Sequence, residues 1–226
     1  EHKACYKKYD KVICVSKSVL DVYKQKFDLE NGMVCYNPVD SHELIKYKKE
    51  YQIQDKLKIC CVGRLEDQKG FDRLIKILGK LRLKNYVVDI YGTGTMKDEL
   101  DDMIRKYGLE EYVHLKGFHK NIYEAMSNYH LLISPSRAEG FSLVVAEAMC
   151  MGIPVLSTDC AGPNELTDYG KYGILVENSD EALENAIQNI FEKKEALYKY
   201  HKLSEERSNI FKIENVMKEV EGNIYE

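Results

Sequence analysis

The sequence predicts an α/β fold: a Rossmann-like, doubly wound, mostly parallel six-stranded sheet with a helical C-terminal extension. Two observations carry that expectation. From about residue 56 onward, short apolar runs alternate with amphipathic ones, the pattern of successive βαβ units whose strands are covered on both faces. The composition is also that of a globular chain, with 44% hydrophobic, 31% charged and 10% aromatic residues among 226.

Taken in order, KLKICCVG (56–63) reads as a strand, FDRLIKILGKLRL (71–83) as a helix and NYVVDIYG (85–92) as a strand. TMKDELDDMIRKYGL (95–109) reads as a second helix with Gly108 in its last turn, followed by the strand VHLKGF (113–118). The series continues with a helix near 121–129, the strand HLLISP (130–135), the helix SLVVAEAMCMG (142–152) and the strand PVLSTD (154–159). A short helical turn after Gly162 and the strand GILV (173–176) complete six strands.

Two flanks lie outside this series. DKVICVS (10–16), a helix to about Phe27 and MVCYNPVD (33–40) read as a separate strand-helix-strand unit, and HELIKYKKEYQIQDK (42–56) as a linker or surface element. From Ser179 onward the chain reads as charged helix, broken near 195 and 210. The expected division is therefore 1–55, 56–178 and 179–226.

Charge and cysteine usage narrow the function classes. Thirty-three Lys and Arg against 37 Asp and Glu leave a net charge of -4, which is not the basic footprint of a nucleic-acid binder. No apolar run approaches the roughly 20 residues that cross a bilayer. The seven cysteines sit mostly in apolar strand-like runs without a C-x-x-C pair, so they read as buried reduced thiols, and the six histidines show no metal-ligand spacing. No metal site is expected. In EKKEALYKYHK (192–202) Lys alternates with Tyr, a pattern shared by solvated helix faces and membrane-surface helices.

In open α/β sheets ligands bind beyond the carboxyl ends of the strands, so the residues after each strand carry the chemistry. GRLEDQKGF (63–71) follows the first strand of the series and places Arg64 and Lys69 in a loop bracketed by Gly63 and Gly70. A planar guanidinium and a mobile ammonium at a strand end suit a diphosphate. The fourth strand of the series is followed by SRAEGFSLVVAEAMCMGIPV (136–155), in which Glu139 and Gly140 precede a helix starting near Ser142. The free N–H groups and positive dipole end of that helix form a phosphate seat. Glu147 lies about one and a half turns into it. With Glu139 it forms a pair of carboxylates spaced for one extended ligand, one suited to ribose hydroxyls and the other to a sugar. YGTGTMKDEL (91–100) has a lone G-x-G without the third glycine of a dinucleotide fingerprint and reads as a tight turn near the pocket.

These segments, GRLEDQKGFDRLI, EGFSLVVAEAMCMGIPV and DCAGPNEL, resemble the donor-binding domain of family 4 retaining glycosyltransferases, which have the GT-B fold. The resemblance covers about residues 10 to 226 and is strongest to bacterial capsule, exopolysaccharide and lipopolysaccharide enzymes. It makes the six-stranded domain one half of a GT-B fold, and DKVICVS and MVCYNPVD the end of an acceptor-side domain most of which this sequence lacks.

The resemblance implies transfer of a hexosyl or N-acetylhexosaminyl group from a nucleoside-diphosphate sugar, UDP favoured over GDP, to a glycan or lipid-linked acceptor with retention of configuration. Arg64 and Lys69 would hold the diphosphate, Glu147 the ribose hydroxyls and Glu139 the transferred sugar. The backbone at Gly140, Phe141, Ser142 and Leu143 would meet phosphate and sugar, with the Leu143 side chain as an apolar wall. The base would lie near Gly117 and Phe118, and Gly63 is a further donor-binding candidate. Arg64, Lys69 and Glu139 are the catalytic candidates; no cofactor or metal is implied, and the parent enzyme would be cytoplasmic, at or near the inner face of the membrane.

Alternatives on the same residues are a non-catalytic nucleotide-binding module and a nucleotide-sugar phosphorylase or epimerase. A final expectation concerns the flank: around Val12, Ile13, Val34 and Cys35 its apolar face should be partly unsupported, with the C-terminal helix through Val216, Val220 and Ile224 crossing back toward it.

Overall fold

A computed structural model describes residues 5, 6 and 8–225, without the side chains of 223–225. Its centre is a parallel six-stranded sheet in the order β5-β4-β3-β6-β7-β8. The strands are β3 (Leu57–Val62), β4 (Tyr86–Tyr91), β5 (Val113–Gly117), β6 (Leu131–Ser134), β7 (Val155–Thr158) and β8 (Ile174–Val176). All six fall inside the segments expected from the sequence.

Strand alternation divides the interior into two cores. Ile59 and Cys61 of β3 face one of them, with Leu74, Ile75 and Leu78 of α3 (Phe71–Leu81) and Ile104 of α4 (Lys97–Tyr107). Cys60 faces the other, with Met126 of α5 (Ile122–Met126), Val145, Ala148 and Met149 of α6 (Leu143–Cys150), and Phe211. All of these side chains are 5% exposed or less, so both faces of the sheet are dry and the near-continuous apolar strands follow. Gly108 is not in the last turn of α4 but caps it, with φ +65°, and its N–H returns to the carbonyls of Arg105 and Ile104.

The N-terminal flank is its own unit. β1 (Val12–Cys14) and β2 (Gly32–Val34) pair in parallel around α1 (Lys17–Phe27), whose Ser16 hydroxyl accepts from the Val19 N–H at 3.1 Å. The expected strand 33–40 is shorter: after Val34 the chain leaves the sheet, and only Val39 makes a further β-bridge, to Lys212. Segment 42–56 is not merely a surface linker. It opens with the helical turn α2 (Ser41–Ile45), capped by Asp40, which buries Leu44 to 1% exposure, and Tyr51 then stacks on His201 at 4.5 Å.

At the C-terminus α7 (Ala161–Leu166) precedes β8, and α8 (Asp180–Glu192), α9 (Leu197–Ser208) and α10 (Ile213–Tyr225) follow it, with 3₁₀ turns at 194–196 and 209–211 where breaks were expected. Val39 donates its N–H to the Phe211 carbonyl at 2.8 Å, and Val216 is buried. The expected apolar exposure is partial. Ile13 is 48% exposed and Val12 and Val34 are half-buried, but Cys35 is buried, its N–H bonded to the Cys14 carbonyl at 2.9 Å where the chain leaves the sheet. The Ile224 side chain lies outside the described residues. Six cysteines are buried free thiols, whereas Cys5 is exposed.

Candidate functional site

The strand order reverses between β3 and β6, the central pair, and this reversal opens a crevice at their carboxyl ends. The loop after β3 carries Gly63, Arg64 and Lys69, and the loop after β6 carries Glu139, Gly140, Phe141 and Ser142, so both sequence-predicted loops face each other across the switch point.

The two loops are joined by contacts that only certain residues permit. Gly70 has φ +68°, and a Cβ there would stand 2.1 Å from the Pro135 carbonyl oxygen, so only glycine allows this approach. Arg137 forks onto both carboxylate oxygens of Asp72 at 2.7 Å, its N–H bonds the Gln68 carbonyl at 2.8 Å, and Gln68 Nε2 returns to the Ala138 carbonyl at 2.8 Å. Bidentate pairing and backbone bonds together make this a stiff frame.

Within that frame the Lys69 ammonium meets Glu139. Nζ stands 2.7 Å from Oε2, and the side chains are only 17% and 11% exposed. The Ser136 hydroxyl donates to the same oxygen at 3.4 Å. The Lys69 stem also packs against Gly63, where a Cβ would meet it at 3.3 Å. Gly63 and Arg64 in turn line a cavity of about 270 Å³ with Tyr91, Gly92, Phe118 and Ile122. Arg64 is exposed and Phe118 is 79% exposed at its mouth, just after Gly117, whose φ is +68°.

The G-x-G turn is adjacent to this cavity, as expected of a tight turn near the pocket. A Cβ on Gly92 would stand 1.8 Å from the Gly63 carbonyl oxygen, and one on Gly94 2.3 Å from that of Leu65, so both glycines allow the 92–95 turn to lie against the Arg64 loop. Glu66 fastens it by accepting from the Thr95 N–H and hydroxyl at 3.1 and 2.8 Å, and those bonds hold its carboxyl below the usual range.

On the opposite wall Ser142 is buried and is the N-cap of α6, which starts at Leu143, one residue later than read from sequence. Its hydroxyl makes no capping bond. Leu143 is 47% exposed, suiting a wall residue rather than a core one. Phe141 stacks on Tyr36 with ring centroids 6.0 Å apart. Glu147 is half-buried, and burial raises its carboxyl above the usual range while the Tyr123 hydroxyl, donating to Oε1 at 2.9 Å, pulls it back down.

Three contributors escaped the sequence reading. Tyr123 sits in α5, a five-residue helix without a motif. Glu165 lies 147 residues or more from the α1 N–H groups it accepts from, Lys17 at 2.8 Å and Ser18 at 2.7 Å, and this places Val19 3.9 Å from where a Gly140 Cβ would be. Tyr36, stacked on Phe141, donates to Glu165 at 3.3 Å. The first strand-helix-strand unit therefore forms one side of the Glu139–Phe141 loop. Among the described residues no group of three or more His, Cys, Asp or Glu is placed to hold a metal ion, and no helix is long and apolar enough to cross a membrane.

A doubly wound sheet with a cation-carboxylate pair at its switch point defines a Rossmann-like domain with a candidate site for a polar ligand. The family model of glycosyl transferases group 1 matches residues 43–208, and the chain belongs to that family. It is 33% identical over 180 residues to an N-acetylgalactosamine-N,N'-diacetylbacillosaminyl-diphospho-undecaprenol 4-alpha-N-acetylgalactosaminyltransferase of Campylobacter jejuni, covering 78% of this chain and 49% of that protein. It is 29% identical over 181 residues to the GtfA subunit of a UDP-N-acetylglucosamine–peptide N-acetylglucosaminyltransferase of Streptococcus gordonii, covering 79% of this chain and 35% of that one. The chain thus spans half or less of the length of these two relatives. Among solved structures, a point mutant of S. aureus TarM in complex with Fondaparinux, alpha-GlcNAc-glycerol and UDP superposes with a TM-score of 0.83 at 25% identity, over 96% of this chain and 44% of that one. Anabaena HepE in complex with UDP and glucose superposes with a TM-score of 0.84 at 23% identity, over 96% and 63%, and shares the fold. The domain is of the GT-B type, related to bacterial surface-polysaccharide glycosyltransferases.

Proposed function

We propose that the crevice between the 63–70 and 136–142 loops binds a nucleoside-diphosphate sugar, with UDP favoured, and that the chain is the donor-binding part of a family 4 retaining glycosyltransferase. The acceptor is a hydroxyl of a glycan or lipid-linked glycan in cell-surface polysaccharide synthesis. The observation that supports this reading is the Lys69–Glu139 pair at the switch point, beside Gly63, which lines a cavity with Arg64. Relatives named as hexosaminyltransferases and a UDP complex of a similar fold support the choice of donor.

In this reading the bond from the anomeric carbon to the diphosphate breaks while one to the acceptor oxygen forms, negative charge grows on the leaving diphosphate, and the proton of the acceptor hydroxyl passes to that leaving oxygen. Arg64, Lys69 and the N-terminal N–H groups of α6 stabilise that charge. Glu139 holds the sugar, with the backbone at Gly140 to Leu143; Glu147 holds the ribose, and the base lies at Gly117 and Phe118 beside Gly63. Residues 1–55 are the end of an acceptor-side domain, 56–178 the donor domain and 179–226 the helices that complete it. The parent would work in the cytoplasm or at the inner membrane face. A thermal-shift panel of nucleotides and nucleotide sugars tests the reading: the preferred donor raises stability by about 2.7 kcal/mol at a hundredfold excess over its dissociation constant. A panel in which no nucleoside diphosphate stabilises the chain overturns it.

A further inference from the structure

We infer that Tyr123 is a positioning residue for ribose recognition: its hydroxyl holds one oxygen of the Glu147 carboxylate and leaves the other directed to a ribose diol. This rests on the reading of Glu147 as the ribose ligand. Among the described residues, Tyr123 is the one side chain that hydrogen-bonds this carboxylate, at 2.9 Å to Oε1. A half-buried carboxylate held at one oxygen still has the acceptor capacity of the other, and a vicinal diol needs a carboxylate whose orientation is fixed before it arrives.

The position of Tyr123 supports the same role. It follows Ile122, which lines the cavity at the expected base end, so one short helix would contact the base wall and set the ribose ligand together. That helix is pinned at its start: the Asn121 side chain accepts from the Glu124 N–H at 3.3 Å and donates to the Tyr47 hydroxyl at 3.1 Å. The Tyr123 ring packs in the core that also contains Val145, Ala148 and Met149 of α6, so the hydroxyl has little freedom to leave Glu147.

The test compares UDP with 2',3'-dideoxy-UDP by isothermal titration on the whole chain and on Tyr123→Phe and Glu147→Gln, with the melting temperature of each variant recorded. The wild type is expected to prefer UDP by about tenfold or more, the size of one charge-assisted hydrogen bond. Glu147→Gln should abolish that preference, and Tyr123→Phe should reduce it to about threefold or less while leaving dideoxy-UDP affinity unchanged. A merely structural tyrosine would weaken both ligands alike. Wild-type preference lost in Glu147→Gln but intact in Tyr123→Phe overturns the positioning role alone. No preference in the wild type overturns the ribose reading of Glu147, and the role of Tyr123 with it.

Discussion

The ammonium of Lys69 lies 2.7 Å from Oε2 of Glu139, so the group assigned to the diphosphate and the group assigned to the sugar it carries neutralise each other across the crevice. Both side chains are more than four-fifths covered, and removal of either leaves the other as a poorly solvated charge. A diphosphate entering the crevice has to share Lys69 with this carboxylate.

Glu139→Gln should therefore bind UDP at least as tightly as the wild type, since the carboxylate that competes for Lys69 and repels phosphate is gone. The same variant should lose the extra affinity that a sugar adds to UDP. Titration with UDP and with UDP-sugars measures both, and a variant that loses UDP affinity while keeping the sugar increment would reverse the assignment.

Glu165 fixes the first strand-helix-strand unit to the six-stranded domain by accepting two α1 N–H groups at 2.8 and 2.7 Å. Glu165→Ala leaves these donors unpaired and removes a negative charge from a helix N-terminus, a loss of about 2 kcal/mol. Amide exchange over residues 17–27 should accelerate while that of β6 changes little. Equal acceleration in both would mean that the unit and the sheet unfold together.

His130 supplies a pH dependence. It is 6% exposed, its Nδ1 accepts from the Lys58 N–H at 3.0 Å, and burial, with Lys58 and Lys194 nearby, pushes its pKa down to about 4. The unfolded chain takes up this proton near pH 6.5 and the folded chain only near 4, so the contribution is complete above about 6.5 and is lost as pH falls toward 4. Its full size is roughly 3–4 kcal/mol. Urea unfolding at stepwise pH should show this slope in the wild type and a shallower one in His130→Asn, whose amide oxygen can still accept from Lys58. Equal slopes would remove His130 as the cause.

Much of the architecture was legible because strands buried on both faces read as apolar runs, and the helices between them as amphipathic ones. The facing of Lys69 and Glu139 was legible for a topological reason, since both follow strands that meet where the order reverses. What escaped depends on contacts between distant segments. Tyr123 is one of 17 tyrosines and nothing in IYEAM marks it, and the Glu165 cap exists only once α1 packs on α7. Residues 36–40 resembled a strand by composition, but they bridge at Val39 alone, to Lys212 of the C-terminal segment, and Pro38 has no N–H to give a ladder.

The most direct measurement is the affinity of the wild type, Arg64→Ala and Lys69→Ala for UDP and for uridine, side by side. Each substitution should weaken UDP by about 1.5–3 kcal/mol, the range for hydrogen bonds to charged groups, and change uridine binding far less. Equal losses for UDP and uridine, or no loss for either, would contradict the assignment of this crevice to a nucleoside diphosphate.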